Sequence, residues 1–291
     1  DASSIKDTEI YFVDGNSDDG TYEWLKSALG NIENVFLLKN PKRYVNFGFN
    51  LAFPMTKGKY IARLDGHSIY PKNYFKVSLD ILQNNEADIV GGPAMHKGKT
   101  WKGKAIANCM MNYFGVGNSS FRISNKKMLV DTIPFAIYKR TVFENVGLYD
   151  EALIKNQDDE HNYRCRSFGL VIMMHPDLQT IYYVKENLND LWKQYFNYGL
   201  YKPLVFKKVP SGKRPHHIIP SLFIIFGLLT SILGLFKSSF FLPVIIYFCI
   251  LIIISSLIQK TMKRKVYSVM VFSCIHIAYG SGFLLGLFKK I

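Results

Sequence analysis

The carboxyl-terminal quarter of the chain constrains its fold more than any other part. Ile218–Phe236, Phe240–Ile258 and Val266–Phe288 are three long apolar stretches in tandem, the first two free of charged residues. A helix rises about 1.5 Å per residue, so about 19 residues cover the roughly 30 Å hydrocarbon core of a bilayer. A soluble protein can bury one helix this apolar, but three in succession read as membrane spans. Basic residues set the orientation. "KKVPSGKR" (Lys207–Arg214) precedes the first span and "QKTMKRK" (Gln259–Lys265) separates the second from the third, whereas only "KSS" joins the first two. The positive-inside rule therefore places residues 1–215 in the cytoplasm and the carboxyl terminus outside, with the closing "KKI" as the one opposing signal. The spans read as anchors, and the part before His216 is expected to fold without them.

A formal net charge of +14 suits a protein lying on an anionic leaflet. It could also signal nucleic acid, but no nucleic-acid module is recognisable and the basic residues gather beside the spans. The membrane is the expected partner and nucleic acid is not. Of the four cysteines, Cys249 and Cys274 lie inside spans, and Cys109 and Cys165 have no metal-type spacing, so all four read as reduced and structural. The chain opens on the polar "DASSIKDTE" rather than on Met, close to a buried strand. It is expected to be a fragment lacking an earlier strand.

The 48% hydrophobic content leaves room for one sizeable domain before the spans. Its first strand, Ile10–Val13, runs straight into Asp14, and "GNSDDGT" then leads to the helical "YEWLKSAL". Ligands of open α/β sheets bind just outside the carboxyl ends of strands, which is where Asp14 stands. Turn chemistry is the other reading, and Asp18, Asp19 and Thr21 are good helix-capping types. "NVFLLKN" follows as a second strand, "VNFGFNLAFPMTKG" as a helix ending at Gly58, and "KYIARLDGHS" as a third strand. Pro71–Asn84 is helical in pattern and "ADIVGGP" is a further strand. This alternation predicts an α/β fold with a mostly parallel sheet. The basic run Lys97–Lys104 reads as a solvated loop, with phosphate binding as the alternative.

Two more stretches carry chemistry. Asp65 and His67 lie two apart, so on an extended chain they face the same side. A carboxylate and an imidazole form a workable ligand pair for Mn²⁺ or, less readily, Mg²⁺, the plain alternative being an Asp-Gly turn. In "KNQDDEHNYR" (Lys155–Arg164) the consecutive Asp158, Asp159 and Glu160 cannot all point one way on a helix. Asp158 shares a face with Asn162, and Glu160 is spaced for an i,i+4 ion pair with Arg164.

Taken in order, these pieces resemble glycosyltransferase family 2, whose members have the GT-A fold. "VDGNSDDGT" resembles the family's nucleotide loop. "LDGHSIYP" resembles its DxD motif in the form found in transferases of the succinoglycan chain-elongating type. "DTIPFAIYKRTVFENVGLYDEAL" and "NQDDEHNYR" resemble the segment leading to the family's acidic helix and the helix itself. The likeness covers about residues 9–205. There are departures. The opening strand with its Pro-x-x-Asn-Glu turn is absent, Gln157 stands for a Glu, and "QYFNY" keeps Gln194 but has Asn197–Tyr198 for Arg-Trp, which argues against a processive synthase. That last segment also reads as an amphipathic membrane-surface helix with Trp192, Tyr195, Tyr198 and Tyr201 as interfacial aromatics.

The resemblance implies a GT-A domain over residues 1–187, a membrane-interface segment over 188–215 and three spans over 216–291. It implies a nucleotide-diphosphate sugar as donor, a lipid-linked saccharide as acceptor and Mg²⁺ or Mn²⁺ as cofactor. Asp158 would be the general base, Asp14 and Asp65 would bind the nucleotide sugar, Asp65 and His67 the metal, and Gln194 would lie on the acceptor or donor side. The expected enzyme is an inverting glycosyltransferase of bacterial exopolysaccharide assembly at the cytoplasmic membrane. A polyprenyl-phosphate glycosyltransferase and a non-catalytic membrane scaffold are the alternatives.

Overall fold

A computed structural model describes residues 8–30 and 32–289. Most of the polar opening and the end of "KKI" lie outside the described residues. From the amino end run β1 (Ile10–Asp14), α1 (Thr21–Leu29), β2 (Val35–Lys39), α2 (Val45–Ala52), β3 (Tyr60–Ala62), β4 (Ser68–Ile69) and α3 (Tyr74–Gln83). Next come β5 (Ile89–Gly91), β6 (Ala94–Lys97), α4 (Trp101–Met110), the single turns α5 (Tyr113–Val116) and α6 (Ser120–Ile123), β7 (Met128–Leu129), β8 (Ile137–Lys139) and α7 (Arg140–Val146). The chain closes through α8 (Gln157–Ser167), β9 (Ile172–Met174), β10 (Thr180–Tyr183), α9 (Leu188–Lys208) and the apolar α10 (Pro215–Gly234), α11 (Leu242–Ile258) and α12 (Met262–Phe288). These elements form two compact units.

The first unit contains the described residues through Asp65, Pro71–Gly92 and Lys127–Leu178. Here β1 and β2 pair in parallel, Ile10 against Val35 through Asp14 against Lys39. A five-stranded sheet has the order β3-β8-β5-β9-β7. Its central strand β5 is buried throughout, as its uninterrupted apolar sequence requires. The expected α/β class stands, but the sheet is mixed rather than mostly parallel. Only β5 and β9 run parallel in it, because the short β7 and β8 enter antiparallel. Two to three residues give no periodicity from which to read a direction. The helix expected to reach Gly58 ends at Ala52 and adds one 3₁₀ turn, Phe53–Met55. Pro54 lacks the N–H that the next helical bond needs.

The strand expected across Lys59–Ser68 is two strands in different sheets, with a turn at Gly66–His67. Asp65 and His67 are therefore not on one extended segment, and the same-side argument does not hold.

The second unit comprises Gly66–Tyr70, Pro93–Lys126 and the described chain from Gln179 onward. In its small sheet β10 pairs antiparallel with β4 and parallel with β6. The run Lys97–Lys104 is not a solvated loop: Lys97 closes β6 and Trp101 begins α4. Thr100 caps the helix, its Oγ1 accepting from the Gly103 N–H at 3.1 Å. The Glu186 carboxylate accepts from the N–H groups of Lys99 (2.7 Å) and Thr100 (3.0 Å) and from the Thr100 hydroxyl. The exposed lysines conceal a helix whose buried side is Ala105, Ile106, Cys109 and Met110.

α10, α11 with its preceding turn, and α12 are each long and apolar enough to cross a membrane. α12 differs from the other two in packing. Its Val271, Phe272, Ile275 and Ala278 join Ile106 and Met110 of α4 and Leu191 and Tyr195 of α9 in one hydrophobic core. Polar bonds reinforce it: Gln259 Nε2 donates to Ala105 O (3.2 Å) and Ser268 Oγ (2.8 Å), and Asn108 Nδ2 to Ile258 O (3.2 Å). Two expectations are corrected by this core. The chain before His216 lacks part of the interior of its own unit without α12. The aromatics of α9 are also not a surface belt, since Tyr195 and Tyr201 are buried while Trp192 stays exposed. All four cysteines are free thiols. Burial pushes the Cys109 and Cys165 thiols up to about 12, in keeping with an inert structural role.

Candidate active site

The acidic helix α8 is held on several sides of the first unit. Asn46 Nδ2 of α2 donates to Asp150 O and Leu153 O, each at 3.1 Å, and Asn50 Nδ2 donates to Tyr149 O at 2.8 Å. These bonds fix the loop that feeds α8. Asn162 Nδ2 donates to Thr132 Oγ1 (3.0 Å) and Ile133 O (3.1 Å). The expected Glu160–Arg164 pair is present and bidentate, at 2.8 and 3.0 Å, and Arg164 also donates to Val146 O and Leu148 O. Asp159 Oδ1 accepts from Thr132 Oγ1 at 2.9 Å. Asp159 and Glu160 are thus tied into the framework. Asp158, half-buried in the first turn, accepts from the Asp159 N–H at 3.0 Å.

Arg63 links this helix to the end of β3. Its Nη1 lies 3.2 Å from Asp65 Oδ1, with little of the side chain exposed. Burial opposes a charged guanidinium, but the carboxylate of Asp65, with a smaller contribution from that of Asp158, helps to offset it, and the Arg63 pKa is raised. The structure therefore brings Asp65 and Asp158 under one cation.

Asp14 closes β1 as expected. Its buried carboxylate accepts from the Ser17 hydroxyl (2.6 Å) and the Ser17 N–H (3.0 Å), and the hydroxyl bond leads in holding its pKa low. Asp14 thus shapes the loop itself, alongside Asp19, which accepts from the Thr21 N–H at 3.1 Å.

The second unit gathers another cluster around Tyr182. His67 meets the Tyr182 ring edge-on at 5.4 Å, and buried His96 does so at 5.2 Å. Gln194 Nε2 donates to Tyr198 OH (2.9 Å) and Tyr182 OH (3.3 Å). Arg122 Nη1 reaches Tyr195 OH at 3.4 Å. Burial, then the charge of Arg122, pushes the His96 imidazole down to about 3, so it is neutral near pH 7. His67 and Gln194 share a tyrosine partner.

Among the described residues no three His, Cys, Asp or Glu side chains gather as a metal cage. The chain offers the carboxylate of Asp65 and the exposed imidazole of His67, two residues apart in sequence. A carboxylate and an imidazole are each donor types that Mn²⁺ and, less readily, Mg²⁺ accept.

Arg63 and Tyr182 escaped the sequence reading. Arg63 carried a signal, since a cation ending the apolar "YIA" must find an acid or leave the core. Tyr182 carried none, being one of two adjacent tyrosines in a short strand. His161 was also passed over. It is buried, stacked on Phe143 at 4.8 Å, with Nε2 3.1 Å from Gly147 O. Burial, then the charge of Arg164, pushes it down from 6.5 to about 3. The unfolded chain takes up this proton near pH 6.5 and the folded chain only near 3, so the associated stability is full above 6.5 and falls as pH drops. The slope is about 1.4 kcal/mol per pH unit. His161→Phe should flatten the acid limb of a thermal-stability profile recorded from neutral pH downward. A limb as steep as the parent's would assign it to other groups.

The fold is matched by a solved mannosyltransferase, PcManGT from Pyrobaculum calidifontis in complex with GDP-Man and Mn²⁺. The TM-score is 0.64 at 13% identity, over 95% of this chain and 77% of that one. At that identity the likeness shows the fold alone, a GT-A-like α/β domain followed by apolar helices. A family model described as "Glycosyl transferase family 2" matches residues 2–147, half of the chain. The chain belongs to glycosyl transferase family 2. A curated relative, the succinoglycan biosynthesis protein ExoA of Rhizobium meliloti (strain 1021), is 30% identical over 192 residues, 65% of this chain. The match spans 58% of that relative's length.

Proposed function

We propose that this chain is an inverting, metal-dependent glycosyltransferase on the cytoplasmic face of a bacterial membrane. It moves a sugar from a nucleotide-diphosphate donor to a lipid-linked saccharide during exopolysaccharide assembly. Family membership and the role in the relative's name support the reaction class. The basic segments beside the three candidate spans support the orientation. One observation carries the mechanism: in the acidic turn of α8, Thr132 and Arg164 engage Asp159 and Glu160, while Asp158 shares Arg63 with Asp65.

In the reaction the acceptor hydroxyl oxygen forms a bond to the anomeric carbon as the bond from that carbon to the diphosphate breaks. Asp158 takes the hydroxyl proton, and the nucleoside diphosphate leaves with the bonding electron pair. Half-burial limits the water around Asp158. Asp14 and its loop receive the nucleoside. Asp65 and His67 would hold the Mg²⁺ or Mn²⁺, which when bound neutralises charge on the departing diphosphate. Gln194, with Tyr182 and Tyr198, offers hydrogen-bonding groups on the sugar side. The apolar helices keep the site beside a lipid-linked acceptor and raise its local concentration.

The test is a screen of nucleotide sugars with membranes containing the full-length protein, read by nucleotide release and by sugar incorporated into lipid-linked saccharide. Cation-dependent transfer from one donor is expected. Direct transfer to polyprenyl phosphate, undiminished by Asp158→Asn, would mean a phosphate acceptor that needs no base. No turnover of any donor would point to a scaffold.

The metal ligands give a separate prediction. His67→Ala should weaken cation-dependent donor binding by about tenfold or more, a loss that even supporting residues of a metal site produce. His67→Asp should restore part of it by supplying a hard oxygen ligand. Donor titrations with and without chelator decide this, and affinity indifferent to both changes and to chelator removes the metal role.

A further inference from the structure

We propose that the groove between the start of α4 and the first turns of α12 binds one anionic phospholipid. Lys102 and Lys263 hold its phosphate and an acyl chain lies along α12. The groove measures about 360 Å³ and is lined by Trp101, Met262, Lys263, Val266, Tyr267 and Met270.

Two cations lie near the Trp101 indole, Lys263 lining the groove and Lys102 next to Trp101 in the chain. Lys263 Nζ lies 4.0 Å from the centroid of the Trp101 ring and Lys102 Nζ lies 5.8 Å from it. Tyr267 closes the other side edge-on, 5.2 Å from Trp101. Among the described residues, none of the basic side chains in Lys97–Lys104 or Lys260–Lys265 forms an ion pair. The nearest acid in sequence to α10–α12 is far upstream, and Glu186 is already committed to the backbone of Lys99 and Thr100. Like charges brought to one ring, neither of them in an ion pair, favour an anion from outside.

The apolar part argues that this anion carries a chain. Met262, Val266 and Met270 follow one another at helical i,i+4 spacing and are all exposed. They continue the lipid-facing surface of a candidate span away from the lysines. A free phosphate would use the cations and leave this apolar wall in water. A phospholipid satisfies both, and the tryptophan stands at the level where amphipathic rings sit in a bilayer. The position on the basic side of α12 also matches the anionic leaflet. The proposal rests on reading α10–α12 as spans. It also accounts for the Lys97–Lys104 run that no step of the transfer reaction uses.

The experiment uses the full chain, purified in mild detergent, stripped of lipid and titrated under native mass spectrometry. The probes are phosphatidylglycerol, phosphatidylcholine with the same acyl chains, and inorganic phosphate. One saturable phosphatidylglycerol is expected, bound about tenfold or more tightly than phosphatidylcholine and not displaced by phosphate at equal concentration. Lys102→Gln with Lys263→Gln should abolish that preference, whereas Lys72→Gln with Lys76→Gln, the same charge change on and before α3, should keep it. Equal binding of the two lipids, displacement by phosphate alone, or loss of preference in the control pair would each overturn the site. Failure of the span reading would be distinguishable, since the chain would then stay in solution without detergent.

Discussion

Asp158→Asn should lower sugar transfer by about 10²–10⁴-fold while leaving donor affinity nearly unchanged, the scale on which loss of a general base is felt. The amide keeps the shape of the carboxylate, and its Oδ1 can still accept from the Asp159 N–H. What it cannot do is take a proton. The neighbours should respond differently because their carboxylates have other duties. Asp159→Asn retains an acceptor for Thr132 and should be mild. Glu160→Gln breaks a buried bidentate pair with Arg164, so the loss should appear in thermal stability before it appears in chemistry. Arg63→Met should disturb both ends of its contact, since Asp65 loses an ion partner and Asp158 a nearby cation. Steady-state turnover measured beside donor titration separates these effects. A crippling Asp159→Asn with a mild Asp158→Asn would move the base one residue along the helix.

The sequence made α8 legible because several independent rules met there. Glu160 and Arg164 have the spacing of an ion pair, the acids crowd a helix amino end, and the pair forms as expected. β1 and β2 were equally readable, being short apolar runs bounded by polar turns. The turn at Gly66–His67 was not, because an apolar strand running into "DGHS" looks continuous until the next segment is seen to pair with β10 rather than β8. β7 and β8 were invisible for a related reason. Strands of two or three residues are defined by their partners, here β9 and β5, and not by any pattern of their own. The most consequential omission lay in the apolar region. Hydropathy treats all sides of a span alike, so α12 looked like an anchor. Its sequence nevertheless gathers Gly280, Gly282 and Gly286 within one short stretch, small residues that let another backbone approach.

That approach sets the second large effect. Gly199→Ala on α9 and Gly282→Ala on α12 should each cost about 1–3 kcal/mol or more, the penalty of overpacking an interface that cannot give. A Cβ on Gly199 would stand 2.1 Å from Tyr279 O, and one on Gly282 would stand 2.1 Å from Phe196 O. Both obstacles are backbone, so no side chain can swing away and the helices must separate. Their separation opens the core that Leu191 and Tyr195 share with Val271, Phe272 and Ile106. Gly227→Ala on α10 is the control, because nothing lies within 4 Å of its added methyl and alanine is the better helix former. The same contacts predict the fate of a chain cut before His216. It would expose the glycine face of α9, leave Asn108 and Ala105 without Gln259, and lose α12 from the core. Such a truncation should aggregate or melt without a cooperative transition, whereas Gly227→Ala in the full chain should melt as the parent does. Thermal melts in detergent and size-exclusion profiles of the parent, the three glycine variants and the truncation provide the comparison. A monodisperse, cooperatively melting truncation would show that the α9–α12 interface is a contact the second unit can do without.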